Sequence, residues 1–140
     1  MYATTADMVR QFTRREVLAL TDPEDTGEID QEILGGALVA ASAEIDTYLS
    51  GRYRLPLDPI PPHLVRICCD IARYVLTGDE RRETEVINNR YKAAVRFLEL
   101  VASGKVTLGP AENGITPSAD GGVQFVQGSR VFARQGPGAF

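Results

Sequence analysis

Asp30-Gln31-Glu32-Ile33-Leu34-Gly35-Gly36-Ala37-Leu38-Val39-Ala40-Ala41-Ser42-Ala43-Glu44-Ile45-Asp46-Thr47-Tyr48-Leu49-Ser50-Gly51 is the stretch whose reading decides the fold. Ile33, Leu34, Ala37, Leu38, Ala41, Ile45, Tyr48 and Leu49 recur at the spacing that lays one apolar stripe along an α-helix. Asp30 is a good N-cap, because its side chain can accept from the first unpaired amides. Gly51 suits the stop. Ala37, Ala40, Ala41 and Ala43 are small enough to let another helix approach closely. A long helix with one apolar stripe needs further helices to cover it, so the chain reads as a bundle.

Working downstream, Arg52-Tyr53-Arg54-Leu55-Pro56-Leu57-Asp58-Pro59-Ile60-Pro61-Pro62 holds four prolines in seven residues. Residues before proline are pushed out of the helical region, so this is an extended connector. Pro61 and Pro62 fit the first turn of the next helix, which needs no amide donor there. Leu64, Val65, Ile67, Cys68, Ile71, Ala72, Val75 and Leu76 wrap that helix in apolar surface, which places it at the bundle centre, and Gly78 ends it. A last helix is expected from about Asp79 to Ser103. Its apolar face is Val86, Ile87, Tyr91, Ala94, Val95, Leu98 and Val101, its first turns are charged, and Gly104 closes it.

Upstream lie two short helices. Thr5 is the expected N-cap of the first, with Met8, Val9 and Phe12 on its apolar face. Thr13-Arg14-Arg15-Glu16 opens the second as a capping box, Val17, Leu18 and Leu20 are its apolar positions, and Thr21-Asp22-Pro23 ends it.

From Lys105 the character changes to a Gly-rich segment dotted with aromatics. Val123-Gln124-Phe125-Val126-Gln127 and Arg130-Val131-Phe132-Ala133 flank Gly128-Ser129, a pattern able to form a β-hairpin. An isolated hairpin is marginal in water and needs a surface to lie on. The expected fold class is therefore mainly α: a bundle of four to five helices over residues 1–104, with an extended C-terminal arm over 105–140. Exposed phenylalanines are costly, so Phe125, Val126, Val131, Phe132 and Phe140 are candidate anchors on a partner. Rapid proteolytic loss after Gly104 is the expected signature.

Composition narrows the function. No run approaches the ~20 apolar residues of a membrane span. The opening Met1-Tyr2-Ala3-Thr4-Thr5-Ala6-Asp7 lacks the blocks of a signal peptide, so assembly in the cytosol is expected. Cys68 and Cys69 are adjacent in a helix, read as buried thiols rather than a disulfide or zinc pair. The net charge is −4, with twelve basic against seventeen acidic residues in the body and three against two in the arm. That balance disfavours a tight grip on nucleic acid and suits a surface past which DNA slides. His63 stands without a nucleophile placed beside it, and no Gly-rich phosphate loop follows a strand. Neither catalysis nor a cofactor is expected.

The sharpest local motif is Asp22-Pro23-Glu24-Asp25-Thr26-Gly27-Glu28-Ile29-Asp30-Gln31-Glu32-Ile33. Laid on a calcium loop, Asp22, Glu24 and Thr26 take ligand positions one, three and five, Gly27 the sharp turn and Asp30 the ninth place. Position twelve needs a bidentate carboxylate and holds Ile33. The favoured reading is a structural corner in which Gly27 turns and Asp30 caps. Arg52, Tyr53 and Arg54 form a cationic and aromatic cluster, read either as a surface loop with Tyr53 folded onto the bundle or as a contact surface.

Several segments together resemble a known family: Met1–Met8, Leu20-Thr21-Asp22, Gly27–Asp30, Ala43–Tyr53, Leu55-Pro56-Leu57, Cys69–Tyr74, and Arg90-Tyr91 through Phe97-Leu98. Over residues 1–109 the chain is similar to the Mu-like prophage head-completion proteins, head–tail adaptors of the phage neck formerly classed as a domain of unknown function. The resemblance implies a virion neck protein, made in the host bacterial cytoplasm, that forms a ring under the portal protein. It implies contact with adjacent copies of itself, twelve in the usual ring, and with a downstream stopper or tail-completion protein. DNA would pass through the lumen without specific binding, and no membrane is involved. Many members carry more acidic residues in the Asp22–Asp30 turn, and Pro23 and Thr26 depart from that. Two rival readings are a calcium-responsive helical module resting on Asp22, Glu24 and Asp30, and a helical DNA-binding regulator resting on Arg10, Arg14 and Arg15.

Overall fold

A computed structural model describes residues 1–78 and 83–109. Within them the chain forms α1 (Thr5–Phe12), α2 (Arg14–Thr21), α3 (Gln31–Leu49), α4 (Pro62–Thr77) and α5 (Glu85–Ala102), with no strand among the described residues. The expected helical class is observed. The expected hairpin at 123–133, with Phe125, Val126, Val131, Phe132 and Phe140, lies outside the described residues.

α4 packs against every other helix, and its heaviest contact is with α3. Its apolar circumference explains the position: Leu64, Cys68, Cys69, Ile71 and Ala72 are all fully buried. Facing them from α3 are Leu34, Leu38, Ala41, Ile45 and Leu49, and from α5 Leu98 and Val101. α1 and α2 add Met8, Phe12 and Val17. Each large side chain so buried contributes roughly 1.5–3 kcal/mol of transfer free energy. Both cysteines are free and buried, and burial pushes the Cys69 thiol up to about 12.

The caps differ from the sequence expectation in three places. At α2 the Thr13 hydroxyl accepts from the Glu16 amide, but the Thr13 amide goes to the Val9 carbonyl and the expected box is not closed. Thr4, not Thr5, caps α1: its hydroxyl accepts from the Asp7 amide, and the Asp7 carboxylate accepts from the Thr4 amide. Two orphan amides are thereby satisfied, which a cap at Thr5 cannot do with Met8 at the third position. α5 begins at Glu85 rather than Asp79, because the Thr84 hydroxyl accepts from the Ile87 amide and Thr84 itself is extended. Residues 79–82 lie outside the described region.

α3 stops at Ser50 with helical dihedrals, one residue before the expected Gly51. On its outward side Ala40 and Ala43 are exposed with Val39, while Ala37 and Ala41 meet the core. The close helix approach is therefore made by only half of the small residues expected to make it. Ile33 is likewise 39% exposed.

After α5, Gly104 adopts a positive φ of 81°, and the Lys105 and Val106 amides bond back to the Leu100 carbonyl. Val106 and Leu108 then pack on the core, so the first residues after Gly104 stay on the helical body.

Candidate functional site

The Asp22–Asp30 turn uses its two end carboxylates, Asp22 and Asp30, on its own backbone. One Asp22 oxygen accepts from the Thr26 amide at 2.8 Å and hydroxyl at 3.0 Å, and the other accepts from the Gly27 amide at 2.7 Å. These donors, the Thr26 amide foremost, hold the Asp22 carboxyl below its ordinary range. Asp30 caps α3 by accepting from Glu32 and Ile33 amides at 2.8 and 3.0 Å. Gly27 supplies a positive φ of 80° and Asp25 one of 56°. The structural corner is what the coordinates hold. Glu24 is exposed, and no group of three His, Cys, Asp or Glu side chains comes together as metal ligands among the described residues.

The Arg52-Tyr53-Arg54 cluster divides. Tyr53 turns into the core, and its hydroxyl accepts from the Leu108 amide at 3.2 Å. Arg52 donates to the Val101 carbonyl at 2.7 Å, across the end of α5. Tyr53 thus ties Leu108 to the body, and Arg52 ties the connector to the end of α5. Arg54 alone of the three is exposed.

A groove that the sequence reading missed runs between α1, α4 and α5. Its larger part, about 410 Å³, is lined by Asp7, Arg10, Gln11, Pro62, Val65, Arg66 and Arg90. A recess of about 160 Å³ shares Arg66 and Arg90 and adds His63, Asp70 and Phe97 among its walls. Asp70 is 7% exposed. One of its oxygens accepts from the Gln11 amide group at 3.0 Å and lies 3.5 Å from an Arg90 nitrogen. Burial pushes the Asp70 carboxyl up, and the Arg90 charge opposes that shift. The sequence does carry a signal for this site. Asp70 sits between Cys69 and Ile71 in an apolar helix, where a carboxylate is found only with a partner.

Two other polar contacts tie the helices. Arg73 of α4 lies over the Phe12 ring at 4.6 Å and pairs with Glu16, holding α1 and α2. Tyr2 donates through its amide to the Ser42 hydroxyl at 3.1 Å and through its phenol to Asp46. Burial and that carboxylate raise its pKa. The segment before α1 is thus anchored on α3.

The described residues thus form five helices with a braced acidic corner and a groove lined by Arg10, Arg66 and Arg90. The family model described as Bacteriophage Mu, Gp36 matches residues 2–127, and the chain belongs to that family. It is 34% identical over 134 residues to the Mu-like prophage FluMu protein gp36 of Haemophilus influenzae, covering 96% of this chain and 94% of that protein. It is 37% identical over 139 residues to gene product J of Escherichia phage Mu, covering 98% and 97%. The family match runs beyond residue 109, where the resemblance read from the sequence ended.

Proposed function

We propose that this protein is a structural neck component that joins the DNA-filled head to the tail. In this reading copies form a ring beneath the portal protein, the ring meets a downstream stopper or tail-completion protein, and DNA passes through its lumen. The observation that carries the reading is the membership of a phage Mu family across residues 2–127, with a helical core already formed among the described residues. The body acts as a rigid wedge, and Arg54 and the arm are its contacts with partners. Strands or aromatic anchors from 110–140 would add to a neighbour by β-augmentation. Ordering such a segment costs entropy that docking offsets.

The acid–base content of the surface agrees with a lumen that does not grip. A net charge of −4 repels phosphate, and no helix among the described residues is long and apolar enough to cross a membrane. Asp22 and Asp30 brace the turn from within, and with Glu24 they form no ligand group among the described residues, which weighs against a calcium-responsive module. Of Arg10, Arg14 and Arg15, the support for a DNA-binding regulator, Arg10 is paired with Asp7 at 3.3 Å.

The test is electron microscopy of lysates from a Mu-like phage whose copy of this gene is deleted. DNA-filled heads separate from complete tails are expected, with joining restored by the gene in trans. Normal virions, or heads without DNA, would overturn the reading.

A further inference from the structure

We propose that the groove between α1, α4 and α5 receives the acidic α2–α3 turn of a second copy of this chain, an inference that rests on the ring reading above and names its contact surfaces. The turn is prepared as an insert. Asp22 and Asp30 brace it from within, through five hydrogen-bonded donors to Asp22 and Asp30 oxygens. Glu24, Asp25, Glu28 and Glu32 are left exposed, with no side-chain hydrogen bond or ion pair among the described residues. Rigid backbone with free carboxylates loses little entropy when it docks.

The groove is the complementary half. Arg10, Arg66 and Arg90 line its larger part against one carboxylate, Asp7, which pairs with Arg10, and the Arg66 side chain makes no hydrogen bond or ion pair among the described residues. Val65, Pro62 and Phe97 add apolar surface to its walls. The buried Asp70 holds Arg90 in place at the floor. Groove and turn share no lining residue, so a turn does not occupy its own groove. Two different patches that fit each other make a head-to-tail contact, the kind that closes a ring when its rotation allows. Opposite charge sets the register and rejects a turn-to-turn or groove-to-groove approach.

Two variants and their mixture test this in the full chain. The groove variant carries Arg10→Glu and Arg66→Glu, both exposed positions, and spares Arg90 because Asp70 depends on it. The turn variant carries Glu24→Arg and Glu28→Arg, which leave the Asp22 and Asp30 braces intact. Circular dichroism verifies that both fold. Sedimentation velocity at low salt should show the parent chain self-associating, and each variant alone about tenfold or more weaker, as expected for reversing close interfacial charges. An equal mixture should regain association, because each variant's altered surface then meets the other's complement. Added salt should weaken the parent and the mixture alike. A parent chain that associates unchanged in either variant overturns this contact and leaves the ring reading standing. A mixture no better than its parts overturns it too, as does a parent chain that stays monomeric at millimolar concentration. Headless tails in the deletion phage bear on the neck role alone.

Discussion

Asp22 and Asp70 are both carboxylates, yet their surroundings drive them in opposite directions. Asp22 accepts from backbone donors and sits low; Asp70 is buried and sits high. For Asp22 the folded chain favours the charged form, so its contribution is present above the ordinary carboxylate range and is lost as pH falls through its depressed pKa. Asp22, Glu24 and Asp30 form no ligand group among the described residues, and Ile33 stands where the loop needs its bidentate carboxylate. Calcium at about 5 mM, well above the concentrations that fill sensor loops, should therefore leave the melting temperature unchanged. A rise of several degrees would restore the metal reading. For Asp70 the sign reverses. Its raised pKa means the ionised folded form is penalised at neutral pH and relieved as pH falls. Asp70→Asn keeps the acceptor for Gln11 and removes the buried charge, so it should be neutral or up to about 1 kcal/mol more stable at pH 7. The advantage should shrink on titration toward pH 4, read from urea denaturation at each pH. A clear loss at pH 7 would mean that the Arg90 pair outweighs desolvation. The corner at Gly27 and Asp30 was legible in the sequence because a turn residue and a cap announce themselves locally. The Asp70 groove was not, since Gln11, Asp70 and Arg90 converge only through the packing of three helices.

At the scale of elements, the periodic stripes of α3 and α4 gave away their helices and the central place of α4, because burial imposes the 3.6-residue period directly. Boundaries were harder to see. Glu80–Glu83 are good helix formers, and the Thr84 hydroxyl bonding to the Ile87 amide marks where α5 begins. The outward Ala40 and Ala43 misled for a related reason: small residues permit close approach without requiring it. Arg73 shows what periodicity misses altogether. It stands where an aliphatic residue would serve α4, yet its guanidinium covers Phe12 and reaches Glu16. Its stem also fills space between α1, α2 and α4. Arg73→Ala should lose about 2 kcal/mol through the lost stacking and packing and the freed Glu16. Arg73→Lys should recover only part of that, since an ammonium cannot stack on the ring as a plane does. Thermal melts of the two variants check the order; equal stability of Lys and the parent would show that charge alone matters at this position.

For the whole molecule, the decisive question is where the self-supporting body ends. The sequence places the change of character at Lys105, because composition shifts there. The structure carries the body a few residues further. Val106 and Leu108 rest on the core, the Leu108 amide donates to Tyr53, and Arg52 spans to the end of α5. Among the described residues the buried core reaches Val101 and the packed fringe reaches Leu108. A chain cut after Gly109 should therefore melt within a few degrees of the full protein, whereas one cut after Gly104 should melt lower. It loses the Val106 and Leu108 contacts and leaves the Tyr53 hydroxyl without its donor. Tyr53→Phe in the full chain isolates the last term, at about 1 kcal/mol for one hydrogen bond. Limited proteolysis should stop near Gly109 rather than Gly104, and mass spectrometry of the resistant core locates the cut. In a deletion phage, the chain ending at Gly109 should be made and folded but fail to join heads to tails, because the surfaces that fold the body and those that reach a partner occupy different lengths of the chain. Full rescue by that shortened chain would place the joining function in the helical body instead.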